Sequence, residues 1–322
     1  MSAPTSFGRA RTAGLALVLG AVLLGTSACG AQSIADDGTP DGPAAELTET
    51  PSEDLAKSVI DGIEASADLA ELVPASISSE GLKITTSVGY PPMEMFGTDG
   101  TTIVGVDASL ARALARVLGV GVTLTDQEFN AQIPGVLTGR FDAVMSSMTD
   151  NEERRETVSF VDYVSAGNGF LVQTGNPGGV EVPEDLCGEI VSVVDNGSSM
   201  FLADEINASC ASDGAAAVEI LKFEGDSEAI LAVKSGRAAA TITDYPVAVH
   251  RADEAESGLE AIAIDGGESP WGIAIDKENT ELVELIRAAL QELIDSGAYA
   301  DILDAWGVGQ MAVDSAVVNG GQ

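Results

Sequence analysis

The stretch Ser146-Ser147-Met148-Thr149-Asp150-Asn151-Glu152-Glu153-Arg154-Arg155 concentrates hydroxyls and guanidinium groups directly after the apolar run Phe141–Met145. The run has the length of a short strand, and Thr149 with Glu152 has the Thr-x-x-Glu spacing of a capping box, so a helix is predicted to start here. The first turn of a helix carries unpaired N–H groups and a partial positive charge, which together attract anions. Arg154 falls within that turn, and its planar fork matches a carboxylate. Two readings follow: a cradle for a carboxylate, or an ordinary strand–helix junction with a surface arginine. Gly197-Ser198-Ser199, at the start of a later helix, would add N–H groups and two more hydroxyls. Alone it is a cap; opposite a carboxylate cradle it is half of a clamp.

The chain has 322 residues, enough for two lobes, and 45% hydrophobic residues suffice for a core. With 15 Lys+Arg against 51 Asp+Glu the net charge is −36, so nucleic acid is excluded as a partner because phosphate binding needs basic surface. Such acidity bears on solubility and says little about fold. A single histidine, His250, leaves little for a His-based metal site or a Ser-His-Asp triad, and no metal or cofactor is expected.

Arg9 and Arg11 precede an apolar stretch from Ala13 to Gly25, followed by Thr26-Ser27-Ala28-Cys29-Gly30. A basic start, a short apolar region and small residues make a signal peptide over 1–28; the stretch is too short to span a bilayer comfortably. The boundary resembles a bacterial lipobox, with Thr26 where an aliphatic residue is usual. Cys29 is then the lipidated residue; simple secretion with a leftover thiol is the alternative. Cys187 and Cys210 remain in an exported, oxidising setting and are expected to pair, the alternative being two buried thiols. A disulfide closing a loop of that size stabilises by roughly 3 kcal/mol.

Residues 29–52 are rich in Ala, Gly, Pro, Thr and acids and read as a disordered tether. Leu55, Val59, Ile63, Leu69, Leu72 and Val73 keep a helical period, which predicts an N-terminal helix within 53–80. Strand and helix then alternate: Leu82–Val88, a helix Ala108–Leu118 capped by Asp107, Val120–Leu124, a helix around Ala131–Thr138, and Phe141–Met145. After the Gly/Pro cluster at 175–179 a second series begins, with Ile190–Val194, Met200–Ile206, Val218–Phe223, Ser227–Ser235 and Ala239–Thr243 ending at Asp244. Two α/β series imply an α/β fold in two lobes.

Tyr90-Pro91-Pro92-Met93-Glu94, Val104-Gly105-Val106-Asp107, Ile133-Pro134-Gly135 through Ala143, Met145-Ser146-Ser147-Met148-Thr149 with Glu153-Arg154, Thr243-Asp244 and Trp271-Gly272-Ile273 resemble, in order and spacing, the family 3 extracellular solute-binding proteins, the amino-acid receptors of ABC importers. The resemblance runs from about Leu82 to Val308. It implies a two-lobed periplasmic-binding-protein fold of type II, with a hinge and a ligand cleft between the lobes. The expected divisions are 81–173 and 272–312 for lobe 1, 174–271 for lobe 2, and a frayed tail over 313–322.

By matching position, the resemblance gives Arg154 a bidentate pair with an α-carboxylate, helped by Thr149, Ser198 and Ser199. It gives Asp244 the α-ammonium, with the Ser146 carbonyl and the Ser147 hydroxyl. Tyr90 and Phe129 would sandwich the ligand's side chain. Ser87 stands where receptors for basic amino acids often carry an acid, which argues against such ligands; whether Asp195 and Met200 face the ligand is left open. The implied partners are a polar amino acid and the permease and ATPase of an importer, with a monomeric receptor anchored by lipid on the outer face of the cell membrane and no catalysis. The alternatives are a sensory module or a dehydratase-like enzyme on this fold, for which Asp195 and Glu94 are the suggestive acids. If Cys29 carries the anchor, Cys29→Ala will move the protein from the membrane fraction to the medium, as read by blotting both; membrane retention would refute the anchor.

Overall fold

The computed structural model describes residues 50–266 and 268–321. The expected signal peptide, Cys29 and most of the expected tether lie outside the described residues. Where the helical period predicts one N-terminal helix there are three short ones, α1 (Lys57–Asp61), α2 (Ala67–Ala70) and α3 (Ala75–Glu80). Gly62 and Pro74 interrupt the pattern, while Ala56, Ile60 and Ile77 are buried against the body. Arg112 and Asp54 add an ion pair at 2.8 Å that ties this segment down.

The first lobe begins with β1 (Leu82–Thr86), the ribbon β2 (Met95–Phe96) and β3 (Ile103–Val104), and α4 (Val106–Leu118). β4 (Val122–Asp126), α5 (Phe129–Leu137), β5 (Ala143–Val144), α6 (Glu152–Arg155) and β6 (Val158–Ala166) follow. The predicted cap of α4 is corrected: Gly105 is the N-cap and Asp107 lies inside the helix, buried. Gly105 has φ +129, and a Cβ there would lie 2.1 Å from the Met93 carbonyl oxygen. Only glycine lets the helix start press against the Met93-Glu94 backbone.

The second lobe contains β7 (Asn168–Gln173), β8 (Ile190–Val194), α7 (Ser198–Ser212), β9 (Glu219–Phe223), α8 (Asp226–Lys234), β10 (Ala240–Asp244), α9 (Tyr245–Asp253) and β11 (Leu259–Ala263). The chain returns through β12 (Ser269–Asp276), α10 (Thr280–Ser296), α11 (Ala298–Ala305) and β13 (Val317–Val318). One sheet has the order β13-β6-β12-β5-β1-β4 and the other β11-β7-β10-β8-β9. Each has its own core: Trp271, Trp306 and Tyr163 are fully buried in the first lobe, and Phe170, Val191 and Ile242 lie at the centre of the second. Cys187 and Cys210 are joined, fastening α7 to the segment before β8.

Two expected boundaries move. β7 pairs with β10 and β11, so residues 168–173 belong to the second sheet, and β12 pairs with β6 from Ser269. The crossings therefore fall at Gly167 and just before Ser269, where the long β6–β12 pairing ends. The Gly/Pro cluster is a turn within the second lobe, with Asn176 and Gly179 at positive φ.

The tail is docked rather than frayed. β13 pairs antiparallel with β6, and the Asn319 side chain accepts from Phe160 N–H at 2.8 Å. Gly321 N–H donates to Asp150 at 2.8 Å, and Arg155 donates to the Gly321 carbonyl at 2.6 Å. These bonds close over residues beside Arg154. Truncation after Ala316 removes them, and at ~1 kcal/mol for each net hydrogen bond it is expected to cost roughly 1–3 kcal/mol in a denaturant titration. An unchanged midpoint would mean the tail contributes nothing.

Candidate functional site

The parallel strands of both lobes direct their carboxyl ends at a shared cleft, the usual place for a ligand in open α/β sheets. One cavity between the lobes is lined by all nine expected positions: Tyr90, Phe129, Ser146, Ser147, Thr149, Arg154, Ser198, Ser199 and Asp244. Glu94, Glu224, Asp226 and Ser87 line it too. Sequence reasoning left Glu224 and Asp226 out, because nothing local distinguishes them from other surface acids.

The Thr149 capping box is not formed. The single turn of α6 is capped by Asn151, whose side chain accepts from Arg154 N–H at 2.9 Å. Thr149 instead bridges to Trp271, and Asp150 N–H donates to the Pro270 carbonyl at 3.0 Å. Backbone pairing to β12 thus fixes the stretch that opens the site. Arg154 is 8% exposed. It donates to the Thr149 carbonyl at 2.8 Å and, across the cleft, to the Asn196 carbonyl at 2.6 Å. Its guanidinium lies 5.4 Å from the centre of the Phe129 ring and 5.9 Å from that of Phe201, within cation–π range. Burial brings its pKa down to about 10, which leaves it cationic at neutral pH.

Asp244 stands on the opposite wall, 5% exposed. It occupies the N-cap position of α9, but its side chain does not cap the helix. Its Oδ2 accepts from the Tyr90 hydroxyl at 2.5 Å, and its N–H donates to the same hydroxyl at 3.2 Å. Burial is the main reason its pKa rises to about 7; Tyr90 and Arg154 oppose the rise. Tyr90, expected to sandwich a side chain with Phe129, therefore also latches one lobe to the other. Arg251 adds a second latch by donating to the Gly89 carbonyl at 2.6 Å while pairing with Asp226 at 3.2 Å. Asn196 donates to Asn130 at 3.1 Å as a third.

Ser198 and Ser199 form the first turn of α7, which starts earlier than the Met200 expected and presents N–H groups the helix itself cannot satisfy. The Ser147 hydroxyl, expected on the ammonium, is turned to Glu94 and Asp107, at 3.3 Å from each. Asp195 lies 4.0 Å from Lys222, and Met200 packs in the second lobe's core; neither lines the cavity. Among the described residues no group of three or more His, Cys, Asp or Glu could hold a metal ion, and no helix is long and apolar enough to cross a membrane.

The sequence pattern of the bacterial extracellular solute-binding proteins, family 3, matches residues 82–309. The chain belongs to that family. It is 32% identical over 256 residues to the arginine-binding protein ArgT of Corynebacterium glutamicum, covering 78% of this chain and 83% of that one. An ancestral arginine-binding protein solved with glutamine is similar at 33% identity and a TM-score of 0.64, covering 70% of this chain and 97% of its own. An ancestral amino-acid-binding protein described as a precursor of cyclohexadienyl dehydratase is similar at 32% identity with the same TM-score, covering 74% and 99%. The fold these neighbours share is the two-lobed one described above.

Several buried acids in and behind the cavity are shifted the same way. Burial is the main cause that raises Asp244 to about 7 and Asp226 and Asp107 to about 6. A carboxyl with a folded pKa above its unfolded value binds more protons when folded, so stability falls as pH rises between the two values. From the unfolded value of 3.8 the window runs up to about 7. The ligand-free protein is therefore expected to unfold at lower denaturant concentration near pH 7 than near pH 5, and Asp244→Asn should flatten part of that slope. A midpoint rising across this range would show the acids to be ionised in the fold.

Proposed function

We propose that this protein is the lipid-anchored, substrate-binding receptor of an ABC importer, and that it captures a polar α-amino acid between its lobes without altering it. One observation carries the reading: a buried arginine without a carboxylate partner among the described residues and a buried aspartate line the same cavity from opposite lobes. A zwitterion leaving water needs a cation and an anion held apart, each met by hydrogen bonds. Arg154, with Thr149 and the first turn of α7 at Ser198 and Ser199, suits the carboxylate. Asp244 suits the ammonium, to which the Ser146 carbonyl would add an acceptor. The Phe129 ring supports the guanidinium, and Tyr90 closes the cleft.

Relatives named for arginine and glutamine binding support amino acids as the ligand class. The similarity to a dehydratase precursor keeps an enzyme as the second reading. That precursor is itself described as an amino-acid-binding protein, and Asp195, one of the two acids suggested for catalysis, is off the cavity. A single anchored receptor would hand its ligand to permease and ATPase subunits in the membrane.

A thermal-shift screen of the twenty amino acids tests this. A true ligand at 100 times its Kd stabilises by about 2.7 kcal/mol. Arg154→Ala should remove the shift while the protein stays folded by circular dichroism. An Arg154→Ala variant that binds as wild type does would overturn the site, and turnover of a cyclohexadienyl substrate would overturn the receptor reading.

A further inference from the structure

Three acids on the cavity wall, Glu94, Glu224 and Asp226, take no part in the zwitterion clamp, and Glu94 is the most deeply buried of them. Glu94 is 2% exposed and sits in the loop after β1, its backbone bridged to Tyr90. Behind it Asp107, 1% exposed, is brought close by the tight start of α4 at Gly105. Ser147 Oγ lies 3.3 Å from Glu94 Oε2 and 3.3 Å from Asp107 Oδ2. Among the described residues neither acid forms an ion pair. Two adjacent carboxylates buried without a cation cannot both stay ionised, because each lacks solvation and raises the cost of charging the other. The pair therefore holds a proton.

The hydrogen bonds place it. Asp107 accepts from the Tyr163 hydroxyl at 2.7 Å and from Ser147 N–H at 2.8 Å, two donors that suit an anion. Glu94 meets only hydroxyls. Ser146 Oγ accepts from Ser87 N–H at 2.9 Å and from the Gln132 amide at 3.1 Å, so its one proton points to Glu94 Oε1 at 3.1 Å. Glu94 Oε2, on the Asp107 side, is the oxygen left to carry hydrogen. Burial and the Asp107 charge hold the Glu94 carboxyl well above the usual range, consistent with this placement. The other ionisable groups around it are Tyr163 behind, Tyr90 on its own loop, and Arg154, Glu224, Asp226 and Asp244 on the cavity wall. Among the described residues Arg154 is the one cation on that wall, and Asp226 is already paired with Arg251. The cavity therefore has two acids, Glu94 and Glu224, in excess of what an α-carboxylate and an α-ammonium use, and of these only Glu94 is buried.

We propose that Glu94 reads the ligand's side chain, exchanging the proton it shares with Asp107 for a guanidinium or ammonium group and leaving the pair protonated when the side chain is neutral. The Glu94 O–H bond breaks, its electron pair stays on the carboxylate, and the proton passes to solvent. An acid is thus present although Ser87 occupies the position where one was sought. The inference rests on the amino-acid reading above.

Calorimetric titration with L-arginine and L-glutamine, near neutral pH in two buffers of different ionisation enthalpy, counts the protons released. Asp244 releases its proton to solvent when any α-ammonium settles beside it, so that release is common to both ligands. The expected result is about one more proton released with arginine than with glutamine. Glu94→Gln should erase the difference and weaken arginine binding at least tenfold, about 1.4 kcal/mol, while glutamine still binds and so reports an intact site. Equal release by both ligands in the wild type, glutamine binding without arginine binding, or an unchanged difference in Glu94→Gln would each overturn the proposal. Infrared spectroscopy of the ligand-free protein supplies a readout independent of any ligand: a protonated-carboxyl band lost in Glu94→Gln is expected, and its absence from the wild type overturns the proposal. If no amino acid binds, the receptor reading falls, and this inference with it.

Discussion

Burying a guanidinium costs several kcal/mol unless its charge and its N–H groups are met. Arg154 is buried, donates to two carbonyl oxygens, and has no carboxylate partner among the described residues. Carbonyl dipoles and the faces of Phe129 and Phe201 offset part of that cost. The remainder is a standing demand for an anion, and the surrounding elements keep it open. Asn151 caps the one turn that carries Arg154, β12 holds the stretch before it, and the tail fastens Asp150 and Arg155 on either side.

The acids show the complementary state. Asp244 and Glu94 are buried on the cavity wall where ionisation is costly, so they hold protons that a cation can displace. Stability and binding are opposed here: each acid destabilises the ligand-free fold as pH rises, and each gains a partner when a ligand enters. Closure uses the same groups. Tyr90 spans the cleft to Asp244, and Arg154 spans it to Asn196, so the residues suited to the ligand's two charged ends also join the lobes. A ligand that changes either contact changes the balance between open and closed states.

Much of the site was legible because it repeats chemistry a short segment can display. Hydroxyls after an apolar run, an arginine one turn on, and a Gly-Ser-Ser turn at a helix start all point to anion binding. The local readings of helix starts were less secure. The Thr149 and Asp107 caps failed because tertiary partners took those residues: Thr149 joins β12, and Asp107 is drawn inward to Tyr163 and Ser147. The tail looked frayed because two valines and polar neighbours give no periodic signal; only the exposed edge of β6 makes them a strand.

By itself the sequence determined the alternation of strand and helix and the residue types able to meet a zwitterion, since these follow from periodicity and side-chain chemistry. The tertiary structure decided which charges meet. Arg154 and Asp244 share a cavity only because the chain crosses between sheets at Gly167 and returns before Ser269. Glu94 and Asp107, separated by a ribbon in the chain, share a proton only because a residue without a side chain at 105 lets the start of α4 press against the Met93-Glu94 backbone. Electrostatic energy depends on distance and burial, which no local spacing specifies.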